Sequence, residues 1–260
     1  MIINFFENLD IYSWEIITLL IFAGFCVGII NTLAGSGSII SYYLFMLLGL
    51  PAGVANGTFR LGVIFQTLAA AINYKKQKVL DIKKSLILSI PITLGSMLGA
   101  EIAVNIREDI FEKIVGIIML VLLFFIFYKP KNWINGNKKR RAKKTSFLEI
   151  LIFFCIGIYG GFIHIGVGIF LLAALVLYSG YDLVKANAIK ITVVFIYTPF
   201  AISVFIFNDK ISYFIGLIAA IGNIFGGIIA SYFAVNFGAK FIQLFLVIVI
   251  ILFVMKLFLF

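Results

Sequence analysis

The stretch Asn31-Thr-Leu-Ala-Gly-Ser-Gly-Ser38 places small and polar residues between two strongly apolar runs. Glycine inside a helix costs about 1 kcal/mol relative to alanine, so this stretch predicts a break between two helices. A second, weaker break is Gly160-Gly-Phe-Ile-His-Ile-Gly-Val-Gly168. In a bilayer, non-helical backbone is tolerated only where protein or a water-filled cavity covers it. Interrupted apolar segments in matching positions of two halves are typical of transporter binding sites.

The composition indicates an integral membrane protein. Of the 260 residues, 63% are hydrophobic and only 12% are charged, whereas soluble domains have about 25% charged residues. The net charge of +10 would also suit a nucleic-acid partner, but five of the 21 basic residues lie between Lys75 and Lys84 and eight between Lys129 and Lys144. Both clusters separate apolar runs, where cytoplasmic loops collect lysine and arginine. We therefore expect a lipid bilayer as partner and no nucleic acid.

The apolar runs predict an all-α polytopic membrane protein with about eight transmembrane helices. The runs are 13–34, 38–50, 54–73, 84–105, 110–128, 147–165, 168–180, 184–207, 211–235 and 240–259. The second and seventh are too short for the roughly 20 residues that a span needs, which favours a re-entrant hairpin followed by about three helices in each half. Two spanning helices over 13–50 are the alternative. The division is a first repeat 1–128, a basic linker 129–146 and a second repeat 147–260.

Charge and spacing predict that the second half is inverted relative to the first. The N-terminal region carries Glu7, Asp10 and Glu15, so we place both termini outside the inner (plasma) membrane and the basic linker in the cytoplasm. Each half then makes an odd number of crossings, as in inverted-repeat transporters. Matching pairs are Gly24-x3-Gly28 with Gly157-x3-Gly161, Gly35-x-Gly37 with Gly166-x-Gly168, Arg60 with Lys190, and Gly95-x3-Gly99 with Gly222-x3-Gly226. We expect the two breaks to meet near the membrane midplane, and the Gly95/Gly99 and Gly222/Gly226 pairs to be helix-packing faces.

Arg60 and Lys190 are the main candidates to bind an anion. Each lies a few residues into an apolar run, and a charge at the bilayer centre costs about 3 kcal/mol. Snorkelling from a helix start is the alternative, but their shared repeat position favours function. Two cations beside broken-helix ends would suit an anion, because helix N-termini also favour negative charge.

Residues around the breaks complete the predicted site. The Gly/Ser stretch can form a backbone anion nest, or simply pack helices closely. Asn31 and His164 are interpreted as equivalent residues, and the histidine can bind substrate, shuttle a proton or be a hydrogen-bonded core residue. Thr58 and Asn187 can bind substrate or cap helix starts. The predicted substrate site comprises Asn31, Gly35, Ser36, Gly37, Ser38, Thr58, Arg60, His164, Gly166, Gly168, Asn187 and Lys190.

An enzyme is the less favoured interpretation. Ala34-Gly-Ser-Gly37 with the distant His164 is similar to the Ser/His dyad of rhomboid-type intramembrane proteases, which needs an adjacent base and an oxyanion hole. Here Ala34 replaces the usual leading glycine, and Val167 is the counterpart of Ser36 in the second half. We therefore expect that the protein is not an enzyme and that it has no catalytic residue, metal or cofactor.

The order and spacing of the motifs resemble the sulfite exporter TauE/SafE family. The first block runs from Gly24-Phe-Cys-Val-Gly28 through the first break to Gly49-Leu-Pro51 and Gly57-Thr-Phe-Arg60, and the second from Gly157-Ile-Tyr-Gly-Gly161 to Ala186-Asn-Ala-Ile-Lys190. The resemblance covers about 14–256. Arg60 stands where the family has a lysine, Asn31 where it usually has an acidic or polar residue, and serines interrupt the family's glycine run. The resemblance implies a polytopic carrier of small anions such as sulfite, thiosulfate or organosulfonates, often exported from the cytoplasm.

These features predict a secondary transporter of small anions that works by alternating access, the two halves rocking about the site between the breaks. The sequence has no Gly-x4-Gly-Lys-Ser/Thr motif, which argues against primary active transport by this chain. A channel-like anion pore is the alternative within transport. The sequence does not specify an oligomeric state, and a homodimer is among the states that it allows.

Overall fold

The computed structural model describes residues 11–106, 110, 145–245 and 248, and within these ranges all regular secondary structure is helical. The helices are α1 (Trp14–Leu33), α2 (Ser38–Leu47), α3 (Ala52–Lys76), α4 (Ile82–Asn105), α5 (Phe147–Phe162), α6 (Val167–Ala173, continued by a π-helical turn Ala174–Tyr178), α7 (Leu183–Phe207) and α8 (Tyr213–Asn236). A further helical stretch covers 238–245. The predicted run 110–128 and most of 129–146 and 240–259 lie outside the described residues.

Local sequence explains where these helices begin and which can span a membrane. Ser13, Asp81, Ser146 and Asp182 each accept a hydrogen bond from the backbone N–H three residues later and so cap α1, α4, α5 and α7. Among the described helices, α1, α4, α7 and α8 are long and apolar enough to cross a membrane by length and composition. α3 has 25 residues, but it carries Asn56, Arg60 and Gln66, which are all buried.

Glycine faces pair helices across the two sequence halves. A Cβ added to Gly24 or Gly28 of α1 would lie 3.0 Å or less from backbone atoms of α8. A Cβ on Gly157 or Gly161 of α5 would likewise approach the backbone of α4. Helices come this close only over small residues. The predicted packing faces, Gly95/Gly99 of α4 and Gly222/Gly226 of α8, approach the backbone of α5 and α1 in the same way and are confirmed. In both pairs the residue numbers of the two helices rise together, from Gly24–Ala219 to Gly28–Asn223 and from Gly157–Ile92 to Gly161–Ser96, so each pair is parallel.

The described helices form two bundles that cross the boundary between the sequence repeats. α8 packs against α1 and α3, and α4 packs against α5 and α7. We call α1, α2, α3 and α8 bundle A, and α4, α5, α6 and α7 bundle B. Each bundle thus contains three helices from one repeat and one helix from the other. α3 and α7 form the main contact between the bundles.

Two hairpins enter the molecule from opposite ends. We name the end at which Thr145 lies the linker end, and the opposite one the far end. The Ser146 and Tyr178 hydroxyls are 3.0 Å apart, so α5 and α6 leave the linker end and return to it. Tyr12, before α1, contacts Phe214 at the start of α8, and Ser212 N–H donates to Thr58 Oγ1 near the start of α3. The starts of α1, α3 and α8 therefore lie together, at the far end. The chain from α1 through α2 therefore starts at the far end and returns there.

Candidate functional site

The two chain breaks meet between the bundles. Gly168 N–H donates to the carbonyl oxygen of Gly35 at 3.3 Å, and a Cβ on either glycine would overlap the backbone of the other. Gly35 and Gly166 have φ of +81° and +76°, a left-handed conformation that glycine adopts without strain. Glycine is thus needed for the chain reversals and for the contact between the two hairpin tips.

The first break is closed by its own side chains. Asn31 Nδ2 donates to Ser38 Oγ at 2.9 Å, and Ser38 N–H donates to Asn31 Oδ1 at 3.1 Å. This pair supplies the N-terminus of α2 with an acceptor, so the Ser38 N–H is not open to an anion. Ser36 is buried, and its hydroxyl has no hydrogen-bond partner in the part of the chain that the structure describes.

The second break is built around His164. This residue has φ of +61°, and its Nδ1 lies 2.8 Å from the hydroxyl of Tyr197. Asn31 and His164, interpreted as equivalent residues, both line the cavity described below but differ in conformation: Asn31 lies in the last turn of α1, whereas His164 lies past the end of α5. The reason is that α5 ends one residue after Gly161, while α1 continues for five residues beyond Gly28.

A small cavity adjoins the contact between the tips, with about 260 Å³ of empty space including its opening. Its wall combines residues from both breaks with residues from α3 and α7. The lining residues are Asn31, Gly35, Val63, Gln66, Thr67, His164, Val167, Gly168, Lys190, Ile191 and Val194. Lys190 brings a positive charge to this wall, and the lining residues include no carboxylate. The electrostatics of the wall therefore favour an anion.

The two predicted cations, Arg60 and Lys190, each cap the C-terminal end of a hairpin helix in the opposite sequence half. Lys190 Nζ donates to the carbonyls of Asn31 and Thr32 in α1 at 3.1 and 2.9 Å. Arg60 Nη1 and Nη2 donate to the carbonyls of Gly160 and Gly161 in α5 at 3.0 and 2.6 Å. Both side chains are at most 1% exposed, so neither snorkels to the surface. Lys190 lines the cavity, and Arg60 is not among the lining residues.

Two other predicted site residues lie away from the cavity. Thr58 accepts its hydrogen bond from Ser212 at the far end, and Asn187 Nδ2 donates to the Tyr74 hydroxyl at 2.9 Å. Neither residue caps a helix start, because α3 begins at Ala52 and α7 is capped by Asp182. Neither lines the cavity.

Sequence reasoning missed Gln66 and Thr67 of α3. Gln66 Nε2 donates to Thr32 Oγ1 at 3.1 Å, and Thr67 Oγ1 donates to the carbonyl of Val63 at 2.6 Å. Gln66 Oε1 is buried and has no hydrogen-bond partner among the described residues. The available signal was an adjacent pair of polar residues in the middle of the run 54–73, because polar residues at membrane depth mark functional sites.

Comparison with known proteins identifies the family of the chain. The family model described as sulfite exporter TauE/SafE matches residues 20–257. The chain belongs to this family. Similar relatives include probable membrane transporter proteins of a Sinorhizobium species, 26% identical over 91% of this chain and 90% of the relative, and of Escherichia coli K12, 25% identical over 94% and 90%. One from Haemophilus influenzae is 25% identical over 88% of this chain and 86% of the relative. No solved structure matches the chain.

The predicted TauE/SafE resemblance is thereby confirmed. The protein is a multi-pass membrane transporter of the TauE/SafE type, as the family model and the apolar helices together indicate. Relatives that match about nine-tenths of the chain are named as membrane transporters rather than as enzymes.

Ser36→Ala tests the protease interpretation in this TauE/SafE protein. We expect the variant to keep wild-type transport activity and thermal stability, because the hydroxyl that it removes is buried without a partner in the described structure and such a loss costs little. A nucleophile would need a base within hydrogen-bond reach, whereas neither His164 nor any other described residue forms a hydrogen bond with Ser36 Oγ. Uptake into proteoliposomes and a melting curve are the measurements. A complete loss of activity in a folded variant would show that the Ser36 hydroxyl has a functional role.

Proposed function

We propose that the protein is a secondary transporter of small anions, with sulfite, thiosulfate or organosulfonates as substrates and export as the direction. The observation that carries the proposal is that Lys190, a buried cation, lines the cavity between the hairpin tips. The ammonium group has three donors, and Asn31 and Thr32 take two of them. The third N–H and the charge are available to an anion in the cavity.

The neutral groups of the cavity suit an oxyanion. The side chains of Gln66 and Thr67 lie in the same wall as Lys190, on α3. A small anion that loses its water shell needs hydrogen-bond donors. Gln66 keeps one amide N–H beside the one that it donates to Thr32, whereas the hydroxyl hydrogen of Thr67 is already donated to the carbonyl of Val63. Val63, Val167 and Val194 form the apolar part of the wall. A single cation surrounded by neutral polar groups would bind an anion without holding it too tightly for release.

We place the linker end in the cytoplasm and both termini outside the inner membrane, as two inverted-topology repeats. The basic residues Lys75, Lys76 and Lys84 lie at the linker end, and the positive-inside rule assigns such a surface to the cytoplasm. The opposite entry directions of the two hairpins support the inversion. Each hairpin would then reach the midplane from one side, as in carriers with broken helices.

Alternating access would move bundle A against bundle B. The two bundles are connected within the described ranges by the chain after α3 and the chain after α7, which contain Lys78 and Asp209. Both residues have positive φ, +58° and +54°, and hinges are commonly loop positions that absorb backbone rotation. The moving bodies would therefore differ from the sequence halves that the repeat pattern indicates, because α4 and α8 are exchanged between the halves.

Cross-linking distinguishes motion of bundle A against bundle B from motion of one sequence half against the other. Asn73 and Ser231 belong to different sequence halves but both lie in bundle A, with Nδ2 and Oγ 2.8 Å apart. Tyr74 and Asn187 belong to different halves and different bundles. In a background with Cys26 and Cys155 replaced by alanine, each pair is changed to cysteines and joined by a short bifunctional reagent. Uptake should stay within about twofold for the 73/231 pair and be abolished for the 74/187 pair.

Each cysteine pair is its own control, since uptake is compared before and after cross-linking and after reductive release. If joining 73 to 231 also stopped uptake reversibly, the sequence halves rather than the bundles would be the moving bodies.

Uptake of radiolabelled sulfite and thiosulfate into proteoliposomes tests the function itself. A carrier gives saturable uptake and counterflow, because one site is exposed to each side in turn. Flux that rises linearly with concentration and shows no counterflow would replace the carrier by an anion channel. No flux of any sulfur oxyanion or organosulfonate would remove these substrates from the proposal.

A further inference from the structure

The C-terminal end of α5 has a hydrogen bond for each of its last four carbonyl groups. These carbonyls have no partner within a helix and need one from elsewhere. Tyr159 O accepts from Ile163 N–H at 3.0 Å. Gly160 O and Gly161 O accept from Arg60, and Phe162 O accepts from Asn56 Nδ2 at 2.8 Å. Two side chains of α3 in bundle A thus complete a helix of bundle B immediately before its break.

Further hydrogen bonds and an aromatic contact hold the Arg60 side chain in place. Its Nε donates to Asn56 O and its Nη2 to Asn56 Oδ1, both at 3.2 Å. The guanidinium carbon lies 4.7 Å from the centre of the Phe205 ring, a distance at which cation–π attraction operates. Four of the five guanidinium and Nε donor positions are used, and the residue is 0% exposed. The charge therefore faces the negative end of the α5 dipole.

Lys190 makes the corresponding contact in the other half with fewer bonds. Its ammonium group donates to two carbonyls of α1. Asn187, three residues before Lys190, donates to Tyr74 and not to Lys190 or the end of α1. Lys190 lines the cavity, whereas Arg60 does not. The two halves thus use a cation at the same repeat position in different ways.

We infer that Arg60 is a positioning residue that holds the tip of the second hairpin, residues 160–168, and does not contact the substrate. Lys190 holds the tip of the first hairpin, residues 30–38, and also faces the substrate. Only the transport measurements below rest on the proposed function, because the contacts of Arg60 are present without any ligand.

Hydrogen–deuterium exchange of the purified full chain in lipid nanodiscs tests the inference without a substrate. In Arg60→Met, exchange of backbone amides over 160–168 should rise at least about tenfold, while 30–38 stays near wild type, because charge-assisted hydrogen bonds to the α5 carbonyls are lost. Lys190→Met should give the reverse pattern. Equal effects of either variant on both tips, or no effect of Arg60→Met on 160–168, would overturn the inference.

Arg60→Lys and Arg60→Gln keep the test decisive if the methionine variant does not fold. Lysine caps two carbonyls at position 190, so Arg60→Lys should keep exchange over 160–168 within about threefold of wild type. Arg60→Gln retains N–H donors without charge and should lower the maximal uptake rate with a change in KM below about threefold. Lys190→Gln should raise KM at least about tenfold. A comparable rise of KM in Arg60→Gln would mean that Arg60 contacts the anion. If wild type carries none of the anions, the exchange pattern still decides the role of Arg60, and the proposed function fails separately.

Discussion

Lys190→Met is expected to lower the rate of anion uptake at least hundredfold. The variant removes the positive charge that Lys190 brings to the cavity wall and also the two hydrogen bonds to α1. A charge-assisted hydrogen bond contributes about 1.5–3 kcal/mol, and a hundredfold change corresponds to about 2.7 kcal/mol. Loss of the bond to the anion alone is therefore large enough. The measurement is the initial rate of radiolabelled uptake into proteoliposomes at a concentration below the wild-type KM.

Lys185→Met is the matched control on the same helix. Lys185 lies 3.3 Å from Asp182, and its side chain is 38% exposed, a setting in which an ion pair contributes at most about 1 kcal/mol. Uptake by this variant should remain within about twofold of wild type. A Lys190→Met protein that is folded and transports at the wild-type rate would refute a substrate role for the ammonium group.

Gly35→Ala is expected to destabilise the protein by more than about 2 kcal/mol and to abolish uptake. The new Cβ would overlap the backbone of Gly168, which cannot move away without displacing the tip of the second hairpin. The residue would also keep a φ of +81°, which an L side chain adopts at a cost of about 1–2 kcal/mol. A melting curve of the purified variant and its uptake are the measurements.

Gly49→Ala separates the two causes. Gly49 has a φ of +87°, close to that of Gly35, but nothing lies within 4 Å of the position of its added Cβ. Its loss of stability should reflect only the left-handed conformation. The difference between the two variants then measures the contact between the hairpin tips. Equal losses at Gly35 and Gly49 would show that this contact contributes nothing to stability.

The hairpin breaks and the packing faces could be predicted because their signals are local. Glycine content indicated the breaks, where Gly35 and Gly166 adopt positive φ, and the spacing of Gly222 and Gly226 indicated a packing face whatever its partner is. The partner itself is not a local property. The pattern at Gly222 and Gly226 of α8 does not identify α1 as the helix that packs there. The crossed bundles therefore became visible only in the structure.

The roles of the two cations could be predicted only in part. A cation inside an apolar run has the same sequence signature whether it caps helix carbonyls or faces a ligand. Arg60 and Lys190 consequently received one interpretation, although only Lys190 lines the cavity. Gln66 was missed for a related reason, since an uncharged side chain gives a weaker signal than a charge. The position of His164 depended on where α5 ends, and helix ends are poorly determined by sequence.

The crossed pairing of helices also sets a constraint on how the chain is made. α1 ends at Leu33, and the helix that covers its glycine face begins at Tyr213, so about 180 residues are synthesised before the two meet. α4, by contrast, ends at Asn105 and α5 begins at Phe147, so a much shorter stretch of chain separates them. Assembly during synthesis would therefore complete the α4–α5 pair first and close the α1–α8 pair last.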